Sequence, residues 1–128
     1  MLNKFNVSVV LPAKDLQRAN KFYTEKLGLT DTSGGKIPGL LMFTAGGNTK
    51  IVLYETDLGP GKHTEAGFEV TDLDKVIERL EGKGVKMEQY DQPGLKTDAK
   101  GIVSWGDSRS AWLKDSEGNI IALNEQKN

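Results

Sequence analysis

The chain has 128 residues, 37% of them hydrophobic and 27% charged, enough for one domain with a substantial core and too few for two ordinary ones. Seventeen basic against eighteen acidic side chains leave a formal charge of −1, so composition gives no electrostatic case for a nucleic-acid or membrane partner. The absence of cysteine excludes disulfides, thiolate metal sites and a cysteine nucleophile. The lone histidine, His63, leaves little from which to build a Ser-His-Asp triad or a multi-histidine metal centre.

The opening residues lack the apolar stretch of about 7–15 residues that marks a targeting segment, and no run approaches the ~18 that span a bilayer. A cytoplasmic protein is the expectation. Val7, Val9 and Leu11 alternate with Asn6, Ser8 and Val10, which predicts a strand with one face toward a helix. That helix begins at Asp15, a good N-cap, carries Leu16, Ala19, Phe22, Tyr23 and Leu27 on one face, and stops at Gly28. Short strands are predicted at residues 29–32, 40–44 and 50–55, separated by Gly34-Gly35 and Gly46-Gly47-Asn48. Ala66, Phe68 and Val70 then alternate with Glu65, Gly67 and Glu69 as a second leading strand. A second helix follows from Thr71-Asp72, with Leu73, Val76, Ile77 and Leu80 on one face before Gly82 and Gly84. Strands at 85–90, 110–114 and 119–124 complete the pattern, and residues 91–101 form an irregular stretch, a candidate flap.

Strand, helix and three strands thus occur twice. Setting Asp15-Leu16 on Asp72-Leu73 also aligns Val9 with Ala66, Leu11 with Phe68 and Ala19 with Val76, so an internal repeat is the economical reading. A single domain over residues 1–128 is expected, with repeat one at about 5–56, a linker at 57–63 containing Gly59-Pro60-Gly61, and repeat two at about 64–125.

The segments VSVVLPAKDLQRANKFYTEKLGL and WGDSRSAWLKDSEGNIIALNE resemble the opening and ending of vicinal oxygen chelate proteins. In the first a strand leads to Asp-Leu, Phe-Tyr and Leu-Gly-Leu. In the second an aromatic-Gly pair leads to a strand, an Asp-x-x-Gly-Asn turn and a last strand. This superfamily includes glyoxalase I, extradiol dioxygenases, and the bleomycin- and fosfomycin-resistance proteins. The resemblance implies an α+β fold of two βαβββ repeats, each curling a mixed four-stranded sheet into half of a cup. It leaves the chemistry open, because one scaffold hosts several activities.

Metal-dependent members place a ligand on the first and last strand of each repeat. Carried over, these positions are Ser8, Val52, Glu65 and Ala122. Only Glu65 is a competent donor, a catalytic zinc needs about three, and no cofactor is expected. His63, two residues before Glu65, is read as a solvated linker histidine that joins Glu65 only if its strand starts early. Glu65 and Glu69 are candidates for carboxylates inside the cup, with Glu65 the candidate acid or base. On a partly solvated sheet edge, glutamates are equally ordinary.

Alternation puts Trp112 on the cup side of its strand and Tyr54 and Val52 on the cup side of theirs, with Leu40 and Met42 as neighbours. Trp105 stands at the junction between the flap and the Trp112 strand, and Ser8 is a further ligand-binding candidate. Trp112 fills a core or an interface in the plainer reading. Arg109 is a candidate clamp for a carboxylate or phosphate, or else a solvated residue ahead of a strand. No phosphate loop, dinucleotide fingerprint or nucleophile elbow occurs.

Two functions compete. One is a metal-free module that binds a small aromatic or cationic molecule, as bleomycin-resistance proteins do. The other is a glyoxalase- or dioxygenase-type enzyme with an atypical site around Glu65. An apolar sheet face carrying Val10, Val52, Tyr54, Trp112 and Ala122 needs cover, and the resembled family pairs chains around a two-fold axis, so a homodimer is expected.

Overall fold

The computed structural model describes residues 1–35 and 37–126. The chain divides into two units, Met1–Pro60 with Asp115–Asn119, and Gly61–Lys114 with the strand that begins at Ile120.

The first unit contains β1 (Ser8–Ala13), α1 (Leu16–Lys21), β2 (Thr30–Asp31), β3 (Leu40–Thr44) and β4 (Lys50–Glu55). Its sheet has the order β1-β4-β3-β2, with β1 parallel to β4 and the other neighbours antiparallel. Alternation buries Leu11 and Ala13 of β1 and leaves Ser8 and Val10 exposed on the other face. Asp15 caps α1 by accepting from the Arg18 N–H at 3.1 Å. Beyond Lys21 the helix widens into a π-helical turn, Phe22–Lys26, and ends where Gly28 takes φ +73°. Ala19 and Tyr23, four residues apart, point to the core, and the Tyr23 ring stacks on Phe43 of β3 at 5.2 Å between centroids.

Burying that phenol requires a partner for its hydroxyl. Tyr23 donates to Asp115 Oδ2 at 2.5 Å, and Asp115 also accepts from the N–H groups of Glu117 and Asn119 and from Asn119 Nδ2, each at 2.8 Å. Asn119 Nδ2 donates in turn to the Pro12 carbonyl. Glu117, whose side chain is 2% exposed, accepts from Arg18 Nε at 2.8 Å and Nη2 at 3.0 Å. It also accepts the N–H groups of Lys14 and Asp15, each at 2.9 Å. Sequence reads residues 115–118 as a turn between strands. Its acidic side chains also anchor the entry to α1.

The second unit contains β5 (Thr64–Glu69), α2 (Leu73–Gly82), β6 (Asp91–Gln92), β7 (Leu95–Lys96), β8 (Val103–Trp105), β9 (Ser108–Lys114) and β10 (Ile120–Gln126). The sheet order β5-β10-β9-β8, with β5 parallel to β10, repeats that of the first unit. The fold is α+β, two βαβββ repeats with mixed curled sheets. Leu73, Ile77 and Leu80 of α2 are buried toward the sheet face that carries Ala111, Leu113, Ile121 and Leu123.

Two expectations need correction here. Residues 85–90, expected as a strand, form no ladder, with Glu88 N–H donating to the Trp112 carbonyl at 2.8 Å, and β8 is the strand that pairs with β9. Val85 and Met87 still alternate inward, which is the pattern the sequence displays; burial alone supplies it without sheet pairing. Residues 91–101, expected to be irregular, contain the β6–β7 hairpin turning at Gly94. Beyond it Asp98 Oδ1 accepts from the N–H groups of Lys100 and Ile102. Gly101 has φ +86°, and a Cβ there would lie 2.8 Å from Met87 Cβ, so this bend admits only glycine.

Burial pushes the Glu117 carboxyl upward, but Arg18, Ser116 and the two N–H groups outweigh it and hold the pKa at about 2. A carboxyl depressed in the folded state contributes stability above the unfolded carboxylate range, and that contribution is lost as pH falls toward 2. Urea unfolding midpoints of the wild type should therefore decline between about pH 4.5 and 2, with a slope of up to ~1.4 kcal/mol per pH unit from this group. Glu117→Gln should be less stable at neutral pH and show a shallower acid decline.

Candidate functional site

β9 sorts the candidates by alternation. Ser110, Trp112 and Lys114 stand on one face of the second sheet, and Arg109, Ala111 and Leu113 on the other. Register places Trp112 beside Ala122, Ala122 beside Gly67, and Trp105 beside Ser108. On this face Val103, Trp112 and Ala122 form a buried cluster against which Tyr90, Leu95 and Ile120 pack. The Tyr90 ring meets Trp112 edge to face at 5.6 Å and 80°, and Trp105 does so at 6.1 Å and 81°. Trp112 is 8% exposed and Trp105 48%. Trp112 is the buried base of the group and Trp105 its accessible ring.

Glu65 is the extra residue of a bulge, because Thr64 pairs with Ile120 and Ala66 with Ile121. Its carboxylate accepts the Gly61 N–H at 3.1 Å. The exposed His63 has Nδ1 2.9 Å from the Thr64 carbonyl, and a Cβ on Gly61 would lie 3.2 Å from His63 Nε2 and 3.5 Å from Glu65 Cδ. Both side chains therefore flank Gly61. Glu69 is exposed beside Asn124, which accepts from the Ser110 hydroxyl at 2.8 Å.

Ser8, Val52 and Tyr54 belong to the first unit. Val10, Val52 and Met42 make one row across its sheet, and Pro12, Tyr54 and Leu40 the next. Ser8 pairs with Lys50, so it sits one row beyond Val52 on the same face. The row is apolar and partly exposed, with Val10 and Tyr54 the most accessible.

Arg109 is corrected. It lies on the helix side of its sheet, where Nε donates to Glu125 Oε1 at 2.9 Å and Nη2 to Asp74 Oδ2 at 2.8 Å. Glu125 Oε2 in turn accepts the Leu73 N–H, the first of α2, at 2.7 Å. Hydrogen bonds donated to Glu125 and Asp74 favour the charged guanidinium, and Arg109 lowers the Asp74 carboxyl. This is helix-start chemistry, an acidic cap held by an arginine, and it faces away from Trp112.

Residues 7–123 match the family described as the Glyoxalase/Bleomycin resistance protein/Dioxygenase superfamily. The chain belongs to this superfamily. A comparison with curated proteins gives no match. Among solved structures it is similar to TnmS3, an antibiotic binding protein from Streptomyces sp. CB03234, at 24% identity and TM-score 0.72 over 94% of this chain and 93% of that one. A glyoxalase/bleomycin resistance protein from the same Streptomyces has 25% identity and TM-score 0.70 over 94% and 99%. A lactoylglutathione lyase from Agrobacterium tumefaciens has 22% identity and TM-score 0.70 over 94% and 92%.

The superfamily's metal positions do not fit an ion in this chain. Val52 and Ala122 have side chains with no donor atom, Ala122 is buried among Trp112 and Val103, and only Ser8 and Glu65, the latter accepting the Gly61 N–H, carry oxygen. Among the described residues no three His, Asp or Glu side chains gather as a metal site. No helix there is long and apolar enough to cross a membrane.

Two cavities lie in the first unit. One of about 470 Å³ is lined by α1, the turn after it and Leu41. The other, about 140 Å³, is lined by Pro12, Arg18, Pro60 and Glu117 among others. Neither is lined by any candidate residue. Tyr90 and Glu88, by contrast, reach the Trp112 neighbourhood without having been singled out by sequence. Their signal was the alternation of Lys86, Glu88 and Tyr90 against Val85 and Met87.

The placement of Arg109 gives a directional expectation. Arg109→Ala should destabilise the fold by about 1–3 kcal/mol, because it removes charged hydrogen bonds to the nearly buried Glu125 and to Asp74. It should leave the environment of Trp105 and Trp112 unchanged. Thermal melting and the tryptophan emission spectrum below the melting temperature check the two halves.

Proposed function

We propose that this chain binds a small organic molecule on the Trp112 face of its second sheet, without a divalent ion. The observation that carries the reading is the group of three rings, Tyr90, Trp112 and Trp105, meeting edge to face on one side of the sheet with Trp105 half exposed. Edge-to-face neighbours fix ring positions, so little is lost in ordering them when a flat ligand arrives. Apolar rings beside a few polar groups, here Ser110 and Glu88, are the usual composition of small-molecule sites. Its similarity to an antibiotic binding protein of the same fold supports the reading.

Glu69 lies beside Asn124 on the Ser110 and Trp112 side of the sheet, Glu65 sits in the bulge at the start of β5, and they are the carboxylates the ligand would meet at that edge. Ser8, Val52 and Tyr54 serve a separate role in this proposal. Their face of the first sheet is apolar and open, and covering it with a second copy of the chain gives a homodimer by an isologous contact. The bound molecule, in this reading, is held and not transformed.

Three measurements test this reading. Protein purified without chelator should contain far less than one equivalent of zinc, iron, nickel or manganese. A stoichiometric ion lost in Glu65→Ala would instead support a metal-dependent lyase or dioxygenase. In a screen of planar aromatic compounds and organic amines against nucleotide controls, binders should quench tryptophan emission. Trp105→Ala should weaken them about tenfold, the equivalent of ~1.4 kcal/mol. Light scattering at micromolar concentration should return about twice the 14.0 kDa chain mass; a monomer across the dilution series removes the dimer.

A further inference from the structure

The Trp112 face also carries charge, and the charge is arranged. Residues 85–90 run extended beside β9 and are fixed to it by the Glu88 N–H bond to the Trp112 carbonyl at 2.8 Å. Val85 and Met87 are buried, so Glu88 and Tyr90, two residues apart, project together on the other side. Lys114 stands two residues beyond Trp112 on β9 and shares its face. Three rings, the Glu88 carboxylate and the Lys114 ammonium therefore share one side of the second sheet, with Glu69 at its β5 edge.

We infer that the ligand of this face is a planar organic cation, stacked on the accessible ring of the Tyr90–Trp112–Trp105 group and neutralised by Glu88, which exchanges Lys114 for it. The inference rests on the proposed ligand-binding role of this face and adds the charge of the ligand and the residue that reads it. Aromatic faces carry negative electrostatic potential and attract cations, most strongly where water is displaced. Glu88 adds a full negative charge beside them. The Tyr90 phenol reports this field: burial first, and then the Glu88 charge, push its ionisation upward, so the ring stays neutral and keeps its hydroxyl. An anion on the same rings meets both the ring potential and the carboxylate.

The present partner of Glu88 is easily displaced. Lys114 Nζ is 3.6 Å from Glu88 Oε1, and the two side chains are 53% and 29% exposed, a long pair that water and salt screen. Lysine keeps its hydration well when it swings into solvent, as a flexible stem with a compact ammonium does. A delocalised cation is weakly hydrated by comparison and gains from the rings what lysine cannot reach. Lys114 thus acts as a placeholder that keeps Glu88 paired until a ligand arrives. Its removal should help binding, the opposite of what a contact residue would show.

The test uses N-methylquinolinium and its uncharged parent quinoline at pH 8, read from the two indole N–H resonances of Trp105 and Trp112. The cation should bind at least fivefold more tightly than quinoline. In Glu88→Gln the ratio of cation to quinoline affinity should fall to about one, and in Lys114→Ala that ratio should rise severalfold. Raising salt from 50 to 500 mM should weaken the cation alone. Equal binding of both probes, indifferent to Glu88→Gln, overturns the cation inference and leaves the aromatic face as a ligand site. No response of either indole to either probe overturns the face as a site, and the inference with it.

Discussion

The register of β9 against β10 decides which chemistry faces where in the second repeat. Pairing Trp112 with Ala122 and Arg109 with Glu125 sends the rings to one side and the ion pair to the other. A slip of β9 by one residue would exchange the two sets, turning Ser110, Trp112 and Lys114 toward α2 and sending Arg109 and Leu113 to the other face. The register is held from both faces. On the helix side Ala111, Leu113, Ile121 and Leu123 are almost wholly buried, and at the open end Glu125 is tied to the Leu73 N–H. The aromatic face is therefore a by-product of packing elsewhere: Trp112 is positioned by residues on the opposite face of its sheet.

The same register explains the character of the family positions. Ala122 lies between Gly67 and Trp112, and a Cβ on Gly67 would already approach Asn124 Nδ2 at 3.0 Å. The place where a donor side chain would project is occupied by an indole and framed by the two smallest residues. The bulge at Glu65 reinforces this, because the extra residue turns its carboxylate to a backbone N–H in its own turn.

The repeat, the α+β class and the helix caps are legible in the sequence because each depends on neighbours in the chain. Asp15 and Asp72 cap their helices as the spacing implies, and residues 40–44 and 50–55 form strands with the expected bounds. What sequence misplaces is set by distant partners. Alternation in residues 85–90 reports burial of Val85 and Met87, but whether a ladder forms depends on what already lies beside β9, and β8 does. For the site, alternation puts Trp112 on the correct face, while Arg109 looks free because its partners Asp74 and Glu125 are 35 and 16 residues away. Glu88 and Tyr90 are invisible as a pair with Trp112 until a single backbone bond joins the segments.

The turn at residues 115–119 has a consequence for what one repeat can do alone. The first unit contains the fully buried Tyr23, whose hydroxyl is answered by Asp115, and Arg18, whose guanidinium is answered by Glu117. Those acceptors are encoded more than ninety positions later, within the hairpin of the other repeat. A fragment ending at the linker would carry the strands and helix of repeat one and lack the acids that complete its interior. The duplication visible in the sequence is thus not a tandem of self-sufficient modules, because the interior of repeat one is completed by acids that the second repeat encodes.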